Sequence, residues 1–359
     1  MARVRGLSRL LVASITSCWL ACGASEKEVQ PAGAVVSFDP SLAGANNVGA
    51  AGGSTGAPLG DGGSEVTNGP SGSGPAPLLA AGRYLFRAGE LELEVDPSIG
   101  GRVTRFSLGS VNILTGPEVV AAGEGSLPNM YGSTFWTSPQ SDWGWPPEAA
   151  IDVASHLARV NGSVLTLSSD PGATTGYSVQ KRFWADAERG LVTLEYTLQN
   201  QRATRAAAPW EISRVPKEGL AFFPSTSAPL SQSTLPVQSV DGVSWVEIAS
   251  APPTDSKLFQ DGTEGWLAYV YRQHVFIKLF EDIAPADQAT GEAEIEIFIN
   301  GSFDYVEIEQ QGRYGLPPAG GSATWRVDWI LRRLPAEITA TAGNAALVSW
   351  VRAQVAGAR

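Results

Sequence analysis

Between Arg83 and Pro335, apolar and polar residues alternate again and again with a period of two. Leu91-Glu92-Leu93-Glu94-Val95 does so strictly. In Val192 to Gln199, Val192, Leu194, Tyr196 and Leu198 share one face, with Thr193, Glu195, Thr197 and Gln199 on the other. The runs His274 to Phe280, Glu292 to Asn300, Tyr305 to Gln311 and Trp325 to Leu331 repeat the pattern. A strand places successive side chains on opposite faces, so each run reads as a half-buried β-strand. Asp96-Pro97, Gly100-Gly101, Asn161-Gly162, Asp261-Gly262, Asn300-Gly301 and Leu316-Pro317-Pro318 separate them as turns. No strong amphipathic helix interrupts the series, and only Ala340 to Ala356 has a helical pattern. Many strands without βαβ alternation predict an all-β protein, a large antiparallel β-sandwich. The polar second faces are expected to be wet or to line a cleft.

Chemistry narrows next. Of 359 residues, 36 are acidic and 25 basic, for a formal net charge of -11, which excludes the basic footprint that nucleic-acid binding needs. The only cysteines are Cys18 and Cys22, and the only histidines His156 and His274. A Cys-based zinc site, a cysteine nucleophile or a multi-histidine metal site is therefore not expected after residue 25, and carboxylate-only cation binding stays open. No phosphate loop, nucleophile elbow or dinucleotide fingerprint occurs, and no cofactor is expected.

The N-terminus reads as an export signal. Arg3, Arg5 and Arg9 precede a mostly apolar stretch from Leu10 to Ala21, too short to span a bilayer. A cysteine after small residues at its end resembles the bacterial lipoprotein signal, in which the cysteine is lipidated. Cys22 is favoured as that residue and Cys18 is the alternative; an ordinary cleaved signal is the competing reading. From Asp39 to Leu78 there is no aromatic residue, Lys or Arg. Such a Gly/Ala/Ser/Pro stretch cannot bury enough apolar surface to order itself. About 55 residues of such coil span roughly 40 Å. The expected organisation is a lipoprotein signal peptide over 1–21, a tether over 22–80, a sandwich over 81–336 and a tail over 337–359. It implies a monomer in the cell envelope, held to a membrane by its lipid.

Four segments, in order, resemble the galactose-mutarotase-like superfamily. They are DPSIGGRVTRFSLGSVNILTG (Asp96 to Gly116), GYSVQKRFWADAERGLVTLEYTLQNQ (Gly176 to Gln201), AAAPWEISRVPKEGLAFFP (Ala206 to Pro224) and the closing hairpin from Glu294 to Pro335. The resemblance implies a supersandwich of two large antiparallel sheets with a sugar in the concave face. Catalytic members pair a histidine acid with a glutamate base, which is sensible proton-transfer chemistry near neutral pH. Here the family's first histidine has no counterpart between Tyr131-Gly132 and Trp143. Trp210-Glu211 stands where the second is expected. Glu309 matches the family's late carboxylate, with Glu307 beside it, leaving Glu309 and His274 as catalytic candidates.

The densest constellation is Met130 to Asp152, which carries Trp136, Trp143, Trp145, Gln140 and Asp142. Flat rings cover the C–H face of a sugar at low entropy cost, and carboxylates or amides accept its hydroxyl protons. Glu307 and Glu309 share a strand face with Tyr305 and Gln311. Trp210 and Glu211 join them as candidate contacts, Glu211 facing opposite to Trp210 and alternatively pairing with Arg214 at the surface. His274 reads as an edge or surface residue, and Arg102 and Arg105 as surface charges. The leading expectation is a carbohydrate-recognition lipoprotein without turnover. A sugar-active enzyme and a structural envelope protein are its competitors.

Overall fold

A computed structural model describes residues 73–121 and 130–359. The proposed signal peptide, Cys18, Cys22 and nearly all of the proposed tether lie outside the described residues. Two antiparallel sheets of ten strands each make up the fold. The first runs, in spatial order, through Leu78–Ala80, Arg83–Ala88, Leu91–Asp96, Arg102–Leu108, Ser133–Ser138, Ala208–Pro216, Tyr305–Gln311, Ile295–Ile299 and Ser256–Gln260. The two-residue strand Val111–Asn112 lies beside Arg102–Leu108. The second runs through Gln238–Val240, Val243–Glu247, Leu220–Pro224, Trp266–Tyr271, His274–Leu279, Ser322–Arg333, Leu191–Asn200, Tyr177–Asp186, Val164–Ser168 and Leu157–Asn161. The expected all-β sandwich is the observed fold. Its first strand takes residues 78–80, so the tether as drawn ends a few residues too late.

Period-two alternation divides each strand between two interiors. Phe106, Phe135, Val215, Val306 and Ile308 of the first sheet meet Leu194, Tyr196, Phe276 and Trp329 of the second in the main core. The remaining faces are covered in part and wet elsewhere, as at Arg182, Glu195 and Arg326. On the second sheet, Phe222, Trp245, Val275, Ile277 and Ile330 pack under Leu347, Val348, Val351 and Val355 of the helix Ala345–Ala358. On the first, Trp136, Trp210, Ile212 and Tyr305 gather with Met130 and Tyr131. Alternation tells which side chains share a face, and here further packing covers part of each outer face.

That tail helix begins where Asn344 caps it, its side-chain oxygen accepting from the backbone N–H groups of Ala346 and Leu347. Asn344→Ala should cost about 1 kcal/mol in urea unfolding, and Asn344→Ser should recover most of it, because only the cap differs. No helix among the described residues is long and apolar enough to cross a membrane.

Candidate functional site

The outer face of the first sheet is built by register. Trp136 lies opposite Trp210, Trp210 opposite Gln311, Ile212 opposite Glu309, and Arg214 opposite Glu307. One strand further, Glu309 lies opposite Glu296 and Glu307 opposite Phe298, and Lys257 lies opposite Phe298 on the last strand. Gly132 admits this arrangement. Its φ is +64°, and a Cβ there would stand 2.3 Å from the carbonyl oxygen of Val103, so Ser133–Ser138 starts tight against its neighbour only without a side chain.

Alternating aromatics and charges interlock on this face. The rings of Trp136 and Trp210 meet edge-on at 5.5 Å, and Trp143 and Trp145 close on Trp136 at 5.7 and 6.1 Å. The Arg214 guanidinium lies over Trp136 and Tyr305 and pairs with Glu307 at 2.7 Å, burying both charges. Asp152 accepts from Trp136 Nε1, Thr134 Oγ1 and Arg102. Arg102, expected on the surface, is fully buried because Asp152 and the carbonyl of Tyr131 hold its guanidinium.

Glu309 is buried in the same face. Its Oε2 accepts from Trp210 Nε1 at 2.9 Å and from Lys257 Nζ at 3.3 Å. Lys257 also pairs with Glu296 at 2.6 Å. Burial pushes both carboxyls up to about 8, against the pull of Lys257. Burial works against the lysine's charge too, but Glu296 and Glu309 hold its pKa above the usual range. One ammonium faces two carboxyls there, so burial and charge pairing oppose each other at both. Glu307 and Glu309 thus share a face as expected, but it is a covered one on which Arg214 and Lys257 neutralise them.

Where the strand Ser133–Ser138 ends, a cavity of about 300 Å³ opens, lined by Thr137, Ser138, Asp142, Thr175, Tyr177 and Arg205 among others. Arg205 pairs with Asp142 at 3.0 Å, and the guanidinium stays mostly exposed. The Ser138 hydroxyl is buried with no hydrogen-bond partner among the described residues. Trp143 Nε1 donates to the carbonyl of Thr137 at 2.7 Å, which fixes the tryptophan loop against the cavity wall. Gln140 does not line the cavity; its backbone N–H donates to Glu292. Trp145 is the exposed ring of the group, at 43%.

Two candidates lie elsewhere. Glu211 points between the sheets, where it accepts from Tyr196, Gln310, Trp329 and Lys278 and touches nothing on the outer face. Its partner is Lys278 and not Arg214. His274 belongs to the second sheet and faces the main core with Phe276. It is 8% exposed, its Nδ1 lies 2.8 Å from the carbonyl of Arg272, and it is neither a surface residue nor a neighbour of Glu309. The face expected to be core, Val275 to Leu279, is the one beneath the tail helix. His156 is buried as well, beside Gly101 and Ala150.

Lys257, Glu296 and Asp152 were not among the candidates. Glu296 did carry a signal: it alternates with Ile295 and Ile297, as Glu309 does with Ile308. Lys257 had none, because only the fold brings the distant strand Ser256–Gln260 to the edge beside Glu296. Among the described residues no group of His, Cys, Asp and Glu has a metal-holding arrangement.

No family model matches the sequence, and no curated protein matches it. Solved structures do resemble the fold. The Slr1438 protein of Synechocystis sp. PCC 6803 is similar over 74% of this chain and 99% of its own, at 12% identity and a TM-score of 0.51. A galactose mutarotase-like protein of Clostridium acetobutylicum is similar over 70% of this chain and 95% of its own, at 10% identity and a TM-score of 0.44. At such identities the likeness is one of architecture. The chain is a sandwich of two ten-stranded antiparallel sheets and shares its fold with the Slr1438 protein.

Proposed function

We propose that the chain is a lipid-anchored, extracytoplasmic carbohydrate-recognition protein that binds a sugar without turning it over, in the cavity at the end of Ser133–Ser138. One observation carries this reading: the cavity of about 300 Å³ is framed by an exposed ion pair, threonine hydroxyls and an unpartnered buried serine hydroxyl. Its volume sits at the lower end of the range of roughly 300–1,000 Å³ for small-molecule sites, suited to a single sugar ring. Hydroxyls of Thr137 and Ser138 can both donate and accept, as sugar hydroxyls do, while that of Thr175 donates to Glu148 and keeps only its acceptor capacity. Asp142 and Arg205 add one acceptor and one multiple donor.

The same geometry supports binding without turnover. Glu309, at the family's catalytic position, is engaged by Trp210 and Lys257, and neither histidine reaches it. The lipid anchor rests on the residues before Gly23.

Calorimetric titration with neutral and acidic mono- and oligosaccharides tests the reading. Binding is expected in the micromolar to millimolar range. Asp142→Asn and Arg205→Ala should each weaken it by about tenfold, the size of one hydrogen bond to a charged group. Silence at millimolar sugar, or affinities indifferent to both substitutions, would sink the proposal.

A further inference from the structure

The Lys257 ammonium stands between two carboxylates, 2.6 Å from Glu296 and 3.3 Å from Glu309. It also lies over two rings, 4.9 Å from the centre of Trp210 and 5.1 Å from that of Phe259. Acceptors on one side and aromatic faces on another are what a primary ammonium group requires: hydrogen-bond acceptors for its N–H bonds and negative ring faces for its charge. Trp210 is itself held by the hydrogen bond from its indole to Glu309. Arg214 and Lys278, the other cations nearby, are committed to Glu307 and Glu211. The arrangement is therefore complete without Lys257 in everything except the cation.

Three features mark the lysine as an occupant that can leave. It comes from the last strand of the sheet's main path, whose far side is met by the non-strand segment 230–235 through backbone hydrogen bonds and not by a further strand. Its side chain is 21% exposed, whereas both carboxylates it joins are almost wholly buried. A lysine stem also has enough rotatable bonds to withdraw with no change in the backbone. Glu309 Oε1, buried with no hydrogen-bond partner among the described residues, is a spare acceptor in the same place.

We propose that Glu296, Glu309, Trp210 and Phe259 form a binding site for a primary ammonium group, and that Lys257 of the chain itself occupies it. Ligands of this class include amino sugars and alkylammonium ions, which enter when the lysine swings out. The site is separate from the cavity at Asp142, so either proposal stands without the other.

The experiment is chemical rescue of the full chain. Lys257→Ala removes an aminopropyl group, so n-propylammonium chloride is the matching probe. Tetramethylammonium chloride, which has charge but no N–H, and sodium chloride at equal ionic strength are the controls. Thermal unfolding at pH 7 should show the variant melting several degrees below wild type. Propylammonium should restore the lost degrees along a saturating curve, at a concentration roughly tenfold below any equal effect of tetramethylammonium. Glucosamine should stabilise the variant and N-acetylglucosamine should not. Equal effects of the three salts would overturn the proposal, because a cation of any kind would then serve. So would a full return of stability in Lys257→Met without amine. Should Lys257→Ala be unfolded in plain buffer, the salts are supplied during refolding from urea. Recovery of the β-sheet circular dichroism signal in propylammonium alone supports the site, and recovery in all three salts or in none overturns it.

Discussion

Lys278→Met should lower the free energy of unfolding by about 3–5 kcal/mol, the usual consequence of removing one partner from a fully buried ion pair. Both side chains of the pair are wholly inaccessible, 3.0 Å apart between the two sheets. Burial pushes the Lys278 pKa down, and Glu211 pulls it back toward the charged form. Lys278 also donates to the carbonyl of Ile308 at 3.1 Å. Methionine keeps the length and most of the volume, so packing changes little and the charge is what is lost. Glu211 would keep its bonds from Tyr196, Gln310 and Trp329 but no longer face a cation. The double variant Lys278→Met, Glu211→Gln removes both charges and should regain much of the loss. Urea unfolding at pH 7 gives the comparison. A single variant within 1 kcal/mol of wild type would mean that the pair is not ionised in the folded protein. The consequence reaches the outer face, because Glu211 is the residue after Trp210 on the strand that presents it.

Strand runs such as Val192 to Gln199 and Tyr305 to Gln311 were legible because their side chains divide between faces with a strict period. Which face Glu307 and Glu309 share was legible for the same reason, as was the opposition of Glu211 to Trp210. What covers a face was not. Alternating Glu and Ile at Glu294 to Ile297 has the same appearance whether water or Lys257 and Trp210 lie above it. His274 shows the related failure: Val275, Ile277 and Leu279 do form a core face, but the opposite face of the strand is buried too, so His274 is not the exposed residue that alternation suggests. The polar partners come from far along the chain, Glu211 from Lys278 and Glu309 from Lys257, and no local pattern encodes contacts between distant strands. Of the tryptophan loop, the composition was readable, but its division was not: Trp136 and Trp143 pack inward, while Asp142 turns to a cavity. That division depends on the segment's path over the sheet edge.

A second large effect is expected in acid, and His156 is its source. The imidazole is 5% exposed, its Nε2 lies 3.2 Å from the carbonyl of Ala150, and its Nδ1 has no hydrogen-bond partner among the described residues. Nε2 therefore carries the proton and the neutral ring satisfies the site. Burial lowers its pKa to about 3, helped by the positive charge of Lys181 and opposed by Asp152. In the unfolded chain the value is about 6.5. A base with a depressed folded pKa contributes stability that is present above the unfolded value and lost as pH falls through the folded one. The window is pH 6.5 to 3, and the contribution across it is about 5 kcal/mol at most. Lys181, lowered to about 7 chiefly by burial, acts above this window, since its own loss runs from its unfolded value down to pH 7. Asp152, also held below the ordinary carboxylate range, adds to the acid loss, so wild type alone cannot isolate the histidine. His156→Gln, which carries no titratable proton, can. Urea midpoints at pH 7, 5.5, 4.5 and 3.5 should fall more gently in the variant, with the two curves converging toward low pH even if the variant is less stable at pH 7. Parallel curves would show that the ring takes up its proton over the same pH range folded and unfolded, and the buried neutral imidazole would have to be abandoned.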